Sequence, residues 1–275
     1  MSEVPMGSRD DVLAGGGTGG TTSSPMAFPI PADELGTVSI VPNGSFEAGS
    51  YQTFVLTYVA GKFGIDDSGS MRVCFRFASD QTRPQFEDPK GPNYTTIEAS
   101  NNAVLTYHYD PKGNVRPWDR TLYIKVVRGF LREGDKITIT FGDRSGGSPG
   151  MRLQTFCEDS YEFHTLIDPI ATYCYQPMPL QPVIKIIPGK PDRYLAVAPT
   201  IRAIDERFSI KFKGEDKWGN PSDQCDIQLY PRASHPVTGL PDVISLKPGE
   251  FFGVIEGLSV ANAADLHIDF LDDAG

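Results

Sequence analysis

Met71-Arg72-Val73-Cys74-Phe75-Arg76-Phe77 is the stretch on which the fold turns. Met71, Val73, Phe75 and Phe77 alternate with Arg72, Cys74 and Arg76, the period of two that sends successive side chains to opposite faces of a strand. The apolar set predicts a buried face and the arginines an outer one, so this is a half-exposed strand. The same period recurs at Phe54/Leu56/Tyr58, Leu105/Tyr107/Tyr109, Leu122/Ile124/Val126, Ile137/Ile139/Phe141 and Tyr161/Phe163/Thr165. That gives roughly eight strands before residue 180. Between them, Asp66-Asp67-Ser68-Gly69, Asp110-Pro111-Lys112-Gly113-Asn114 and Glu133-Gly134-Asp135 carry turn chemistry and favour antiparallel neighbours.

Downstream, Gln176-Pro177-Met178-Pro179-Leu180-Gln181-Pro182 reads as a linker, because proline cannot donate to a ladder. Beyond it stand Ile184/Ile186, Tyr194 to Val197, Phe208/Ile210/Phe212, Ile227/Leu229, Val243 to Leu246, Phe252 to Ile255 and Leu266/Ile268/Phe270. About seven short runs in roughly ninety residues match an immunoglobulin-like sandwich by number and spacing. Upstream, the tract Gly15 to Gly20 and Thr21 to Ser24 offers nothing to bury and reads as leader. The predicted organisation is all-β, two tandem antiparallel sandwiches: a Gly/Ser/Thr-rich leader over 1–35, a larger sandwich over 36–180 and an immunoglobulin-like one over 181–275. No stretch of a dozen residues keeps helical apolar spacing, which disfavours α/β enzyme folds.

The 275 residues suffice for two cores, and 39% hydrophobic with 22% charged residues is ordinary globular composition. Gly 28 and Pro 23 fit many short strands. A formal net charge of -10 repels phosphate backbones and anionic headgroups, so neither nucleic acid nor membrane is an expected partner. The first residues have no basic and apolar export pattern, which points to a soluble, cytoplasmic chain. Cys74, Cys157, Cys174 and Cys225 lack a Cys-x-x-Cys spacing and read as reduced, packed thiols, with a disulfide as the alternative for an exported chain.

No catalytic or metal-binding set assembles from spacing, and no cofactor is expected. Gly142-Asp143-Arg144-Ser145-Gly146-Gly147-Ser148-Pro149-Gly150 superficially looks like the nucleophile segment of trypsin-like proteases, but Arg144 and Ser148 interrupt the spacing that forms an oxyanion hole. It reads as a wide loop, or as an anion-binding nest with Arg144 or Arg152 as counter-charge. Asp265, His267 and Asp269 would share a strand face, as metal ligands or as an ordinary solvent side. Trp218, in the turn after Phe212, is read as a core cap with carbohydrate stacking as its rival. Arg116-Pro117-Trp118-Asp119-Arg120 reads as a ligand clamp, a packing corner or a partner surface. The binding candidates are therefore Arg83, Arg116, Trp118, Asp143, Arg144 and Arg152, on or beside long loops where binding residues concentrate.

Several segments carry a family likeness: Ala48 to Phe54, Phe63 to Gly69, Arg83-Pro84-Gln85-Phe86, Arg116-Pro117-Trp118-Asp119, Gly146 to Gly150, Gln154-Thr155-Phe156 and Asp216 to Asp223. Together they resemble the N-terminal region of the bacterial family catalogued as domain of unknown function 3604. The resemblance spans roughly residues 36 to 275. Members of that family continue into a larger region, similar to metal-dependent hydrolases, which opens on a Tyr-Trp-Gly-Asp-Leu-His-type segment. Here Ala263 and Ala264 precede Asp265-Leu266-His267, so no catalytic residue carries over. The resemblance implies a non-catalytic accessory region that positions or oligomerises a hydrolase-like domain or subunit. Two alternatives stand beside it: a stand-alone small-ligand or carbohydrate module, and part of a metal-dependent hydrolase completed by another chain.

Overall fold

The computed structural model describes residues 29–272, and among them the one helical element is a short 3-10 turn at Ala32–Glu34. No helix among the described residues is long and apolar enough to cross a membrane.

Two antiparallel sheets make the first sandwich. One runs β1 (Gly36–Val41), β4 (Phe54–Ala60), β9 (Lys136–Phe141) and β6 (Thr96–Ala99). The other runs β13 (Gln176–Pro177), β12 (His164–Asp168), β5 (Ser70–Phe75), β8 (Arg120–Arg128) and β7 (Val104–Asp110). Their inner faces are the alternating apolar residues foreseen above: Phe54, Leu56 and Tyr58 from β4, Met71, Val73 and Phe75 from β5, Leu122, Ile124 and Val126 from β8. Aromatic contacts stitch the layers, with Phe75 edge-on to Phe141 at 5.8 Å and Phe54 against Phe163 at 5.6 Å. Each such side chain taken out of water contributes about 1.5–3 kcal/mol. At one end lie two smaller sheets, β3 (Tyr51–Gln52) with β10 (Met151–Arg152), and β11 (Glu158–Glu162), β14 (Val183–Ile187) and β2 (Ser45–Glu47). The β14–β2 pair is parallel.

The second sandwich faces β15 (Arg193–Val197), β16 (Phe208–Glu215) and β19 (Gly253–Leu258) against β18 (Ile244–Leu246), β17 (Ile227–Ala233) and β20 (Ile268–Leu271). Ile210, Phe212, Leu229, Leu246, Ile255 and Leu258 form its own core.

The expected boundaries shift. Residues 1–28 of the leader lie outside the described residues, but Ile30 and Leu35 are already buried in the first core. The Pro-rich stretch is not a free linker: Gln176–Pro177 pairs with β12 at the sheet edge, where a proline removes no needed donor. Met178 is buried, and Gln181 bonds both the N–H and the carbonyl of Thr165. Ile184 and Ile186, read as the opening run of the second sandwich, belong to the first core through β11 and β2. The chain passes to the second sandwich after Ile187, not at residue 180. Phe77, placed on the buried face, is 45% exposed because β5 ends at Phe75 and the chain turns outward. Cys157, read as packed, is exposed.

Candidate functional site

Polar groups from distant parts of the sequence gather first at the seam between the sandwiches. The turn after β16 puts Asp216, which is 2% exposed, at its centre. The Asp216 carboxylate accepts from the backbone N–H groups of Trp218 and Asn220 at 2.9 Å, from the Asn220 side-chain amide at 2.9 Å and from Gly189 N at 3.1 Å. Burial pushes this carboxyl up, but those donors outweigh it and hold its pKa below the ordinary aspartate value. Thus fixed, the turn reaches across. Asn220 Nδ2 donates to Thr155 O at 2.9 Å, Cys157 N donates to Asn220 Oδ1 at 3.2 Å, and Trp218 Nε1 donates to Ala48 O at 3.0 Å. Ala48 N and Gly49 N in turn donate to Ile187 O and Gln154 O. Trp218 is therefore a seam residue and not a cap on the second core.

Arg152 lies beside the same seam. Its guanidinium donates to Asp80 O at 2.6 Å, approaches Asp80 Oδ2 at 3.4 Å and stands 6.0 Å from the Trp218 ring centre. Asp80 also accepts from Thr155 N at 2.8 Å and Thr155 Oγ1 at 3.0 Å. Burial raises this carboxyl, and Thr155 and Arg152 together bring it below its usual value.

The wide loop 142–150 is braced against its neighbours and does not form an open nest. Asp143 accepts from Ser145 N at 2.9 Å and Thr96 Oγ1 at 3.0 Å, which lowers its pKa through the Ser145 N–H first. Arg144 Nη2 donates to Tyr51 O at 2.8 Å, and Ser148 Oγ donates to Gly91 O at 2.7 Å. Ser145, at the position the protease likeness would give a nucleophile, is exposed.

Arg116 and Trp118 belong to a stack on the outer face of the five-stranded sheet. The Trp118 indole lies on the His164 imidazole, centroids 4.8 Å apart and planes 14° from parallel. Arg76 Cζ sits 5.2 Å over the indole, and Arg76 pairs with Glu158 at 3.1 Å. His164 Nδ1 meets Glu162 Oε1 at 2.6 Å. Arg116 lies over Phe77 at 4.8 Å with its Nε 3.6 Å from Asp119 Oδ2. Cys74, directly across the ladder from His164, is no partner nucleophile: burial pushes its thiol up to about 11, and Thr121 and Asn114 hold the sulfur at 3.5 Å.

Arg83 is exposed at the start of the loop 79–93. The candidates thus fall into separate places: Arg152 at the seam, Asp143 and Arg144 on the braced loop, Arg116 and Trp118 on the stack. Asp265, His267 and Asp269 are exposed, and among the described residues no three His, Cys, Asp or Glu side chains gather as a metal-holding group. A cleft of about 520 Å³ opens in the second sandwich, with Ile201, Phe208, Ile210, Leu266 and Phe270 among its walls. The residues missed from sequence are Asp80, Asp216 and Asn220 at the seam, and His164 and Glu162 at the stack. Only Asp216 and Asn220 left a signal, the Asp-x-x-x-Asn spacing of a side-chain-capped turn.

No protein-family model matches the chain, and no curated protein matches it. Fold and site together define it as an all-β protein whose two sandwiches meet at a hydrogen-bonded seam.

Proposed function

We propose that this chain is a non-catalytic accessory β-sandwich region of the domain-of-unknown-function-3604 type, whose role is to hold a hydrolase-like, metal-dependent partner region in place. One observation carries the reading: three of the segments that bear the family likeness meet at the seam. Ala48 and Gly49, Gln154 and Thr155, and Asp216 to Asn220 are joined there by the hydrogen bonds described above. Their polar groups are consumed in fixing one sandwich against the other, which suits a spacer that sets an orientation. Trp118 and Asp143 are likewise engaged internally.

The test is reconstitution. The chain is mixed with, or fused to, the hydrolase-like region of a family member, and binding and turnover are followed. The chain alone should give no hydrolysis of ester or phosphoester substrates with added zinc or manganese, and should bind and stabilise the hydrolase-like region. Turnover by the chain alone, or no association between the two, would refute the accessory role.

A further inference from the structure

The second sandwich has one strand fewer than its sequence offers. The transfer of Ile184 and Ile186 to the first core leaves it two three-stranded sheets. β15 and β20 flank one side of it, each at the end of its sheet with a single paired neighbour among the described residues. They do not close on each other. The cleft of about 520 Å³ and a second of about 500 Å³ lie between them, and both take walls from Ala196 on β15 and from Ile268 and Phe270 on β20. The inner faces of the two sheets therefore gape along one side, where a sandwich ordinarily buries apolar surface.

β15 is exposed at all five of its residues. Its register on β16 sorts them. Tyr194 and Ala196 stand opposite Gly214 and Phe212, on the face that carries the core residues Phe212 and Cys225; a methyl group on Gly214 would meet both Cys225 Sγ and the Tyr194 ring. Arg193, Leu195 and Val197 take the outer face, opposite Glu215, Lys213 and Lys211. Tyr194, Leu195 and Val197 are 42%, 43% and 58% exposed, and the apolar strip runs on to the exposed Ile201 and Ile204 at the wall of the first cleft. Free edges are normally guarded by proline, a bulge or a charge. β13 ends at Pro177, β7 has a bulge at Val104/Leu105, and β20 carries Asp269. β15 has no such guard, since its one charge, Arg193, is drawn onto Glu215 at 2.6 Å.

We propose that β15 is a dimer edge, on which a second copy of this chain lays its own β15 antiparallel about a twofold axis at Leu195. The strand fits itself in that register. Leu195 meets Leu195 of the second copy, Tyr194 meets Ala196 and Arg193 meets Val197, so a bulky ring faces a small side chain over the gap and no like charges are opposed. At a net charge of -10, self-association is opposed by repulsion over the surface as a whole, and least along a strand with no unpaired charge. The pairing merges two three-stranded sheets into one of six and sets the two clefts side by side, each covered by the other copy. The dimer does not rest on the accessory role proposed above: sizing of the chain alone tests it, and mixing with a hydrolase-like region does not.

The experiment is sedimentation velocity and light scattering of the full chain from micromolar to millimolar concentration. A concentration-dependent dimer should form. Leu195→Lys puts like charges directly across the twofold axis and should raise the dimer dissociation constant at least about tenfold, with the circular dichroism of the fold unchanged because Leu195 lies on the outer face. Val41→Lys, on the 65% exposed end of the β1 edge, is the control and should leave the dimer intact. The register has its own readout. In a Cys157→Ser background oxidised by dioxygen, Leu195→Cys should give a disulfide-linked dimer, since directly opposed residues have Cβ atoms about 4.5–5.5 Å apart. Val197→Cys should not, because its two copies stand about four residues apart along the ladder, roughly 13 Å. A chain that stays monomeric at every concentration overturns the proposal and leaves the cleft to a strand from another protein. A dimer that withstands Leu195→Lys, one that Val41→Lys disrupts equally, or cross-linking at position 197 as ready as at 195 overturns it too.

Discussion

Gly49→Ala tests the seam at its tightest point. Gly49 sits at φ +69, and a methyl group there would stand 2.5 Å from Trp218 Nε1 and 2.6 Å from Trp218 Cε2 and Cζ2. Neither end yields cheaply, because the indole N–H is bonded to Ala48 O at 3.0 Å and Asp216 pins the backbone of Trp218 at 2.9 Å. The left-handed backbone costs alanine about 1–2 kcal/mol. Displacing the indole forfeits one hydrogen bond, about 0.5–1.5 kcal/mol. The expected loss is about 2–3 kcal/mol, or roughly 4–12 °C in Tm. Gly134→Ala is the control, since Gly134 has φ +86 with open space where the methyl would go and so bears the backbone cost alone. Urea unfolding with tryptophan fluorescence is the assay, in a Trp118→Phe background so that Trp218 alone reports. The Gly49 variant should lose more stability than the control and shift Trp218 emission toward that of a hydrated indole. Equal losses for the two variants with unchanged Trp218 emission would refute the claim that the ring is clamped on the first sandwich.

Phe75→Ala removes a ring that is 1% exposed and touches Phe141 and Phe163, and should cost about 3–5 kcal/mol in chemical denaturation. His267→Ala, on an exposed side chain, should stay within about 0.5 kcal/mol. Asp216 has a folded pKa below its unfolded value, so its contribution is complete above pH of about 4 and is lost as pH falls through the depressed value. Asp216→Asn should therefore lower stability at neutral pH and flatten the acid limb of a stability–pH curve; an unchanged limb counts against the seam carboxylate. Native thiol labelling should spare the buried Cys74 and Cys225. Cys157 is exposed, yet burial of its sulfur and then the nearby Asp216 push its thiol up to about 11, so its labelling should be slow at neutral pH and accelerate beyond about pH 9.

The sheets of the first sandwich were legible because side-chain alternation is a local property that burial enforces residue by residue. Phe54, Leu56 and Tyr58 face inward, and Val55 and Thr57 between them do not, as the period of two demands. Where the reading failed, two tertiary outcomes were compatible with one pattern. Ile184 and Ile186 alternate equally well in either sandwich, and only pairing with β11 and β2 assigns them to the first. Pro177 forbids a central ladder position but not the edge place it occupies opposite Leu166. Phe77 continues the period past the residue at which pairing stops, because Phe75 is the last partner that β8 offers, opposite Arg120.

Polar residues obey a different rule, and it explains why the candidate site was harder to read. An apolar side chain is adequately described by inside or outside, whereas a polar one is described by which group satisfies it, and that group is usually remote in sequence. Trp118 is matched by His164, Asn220 by Thr155 and Cys157, Arg152 by Asp80 and Leu153. Once each of these is matched, its charge or aromaticity ceases to be a sign of ligand binding, and so most of the candidates chosen for chemistry alone turn out to hold the protein together.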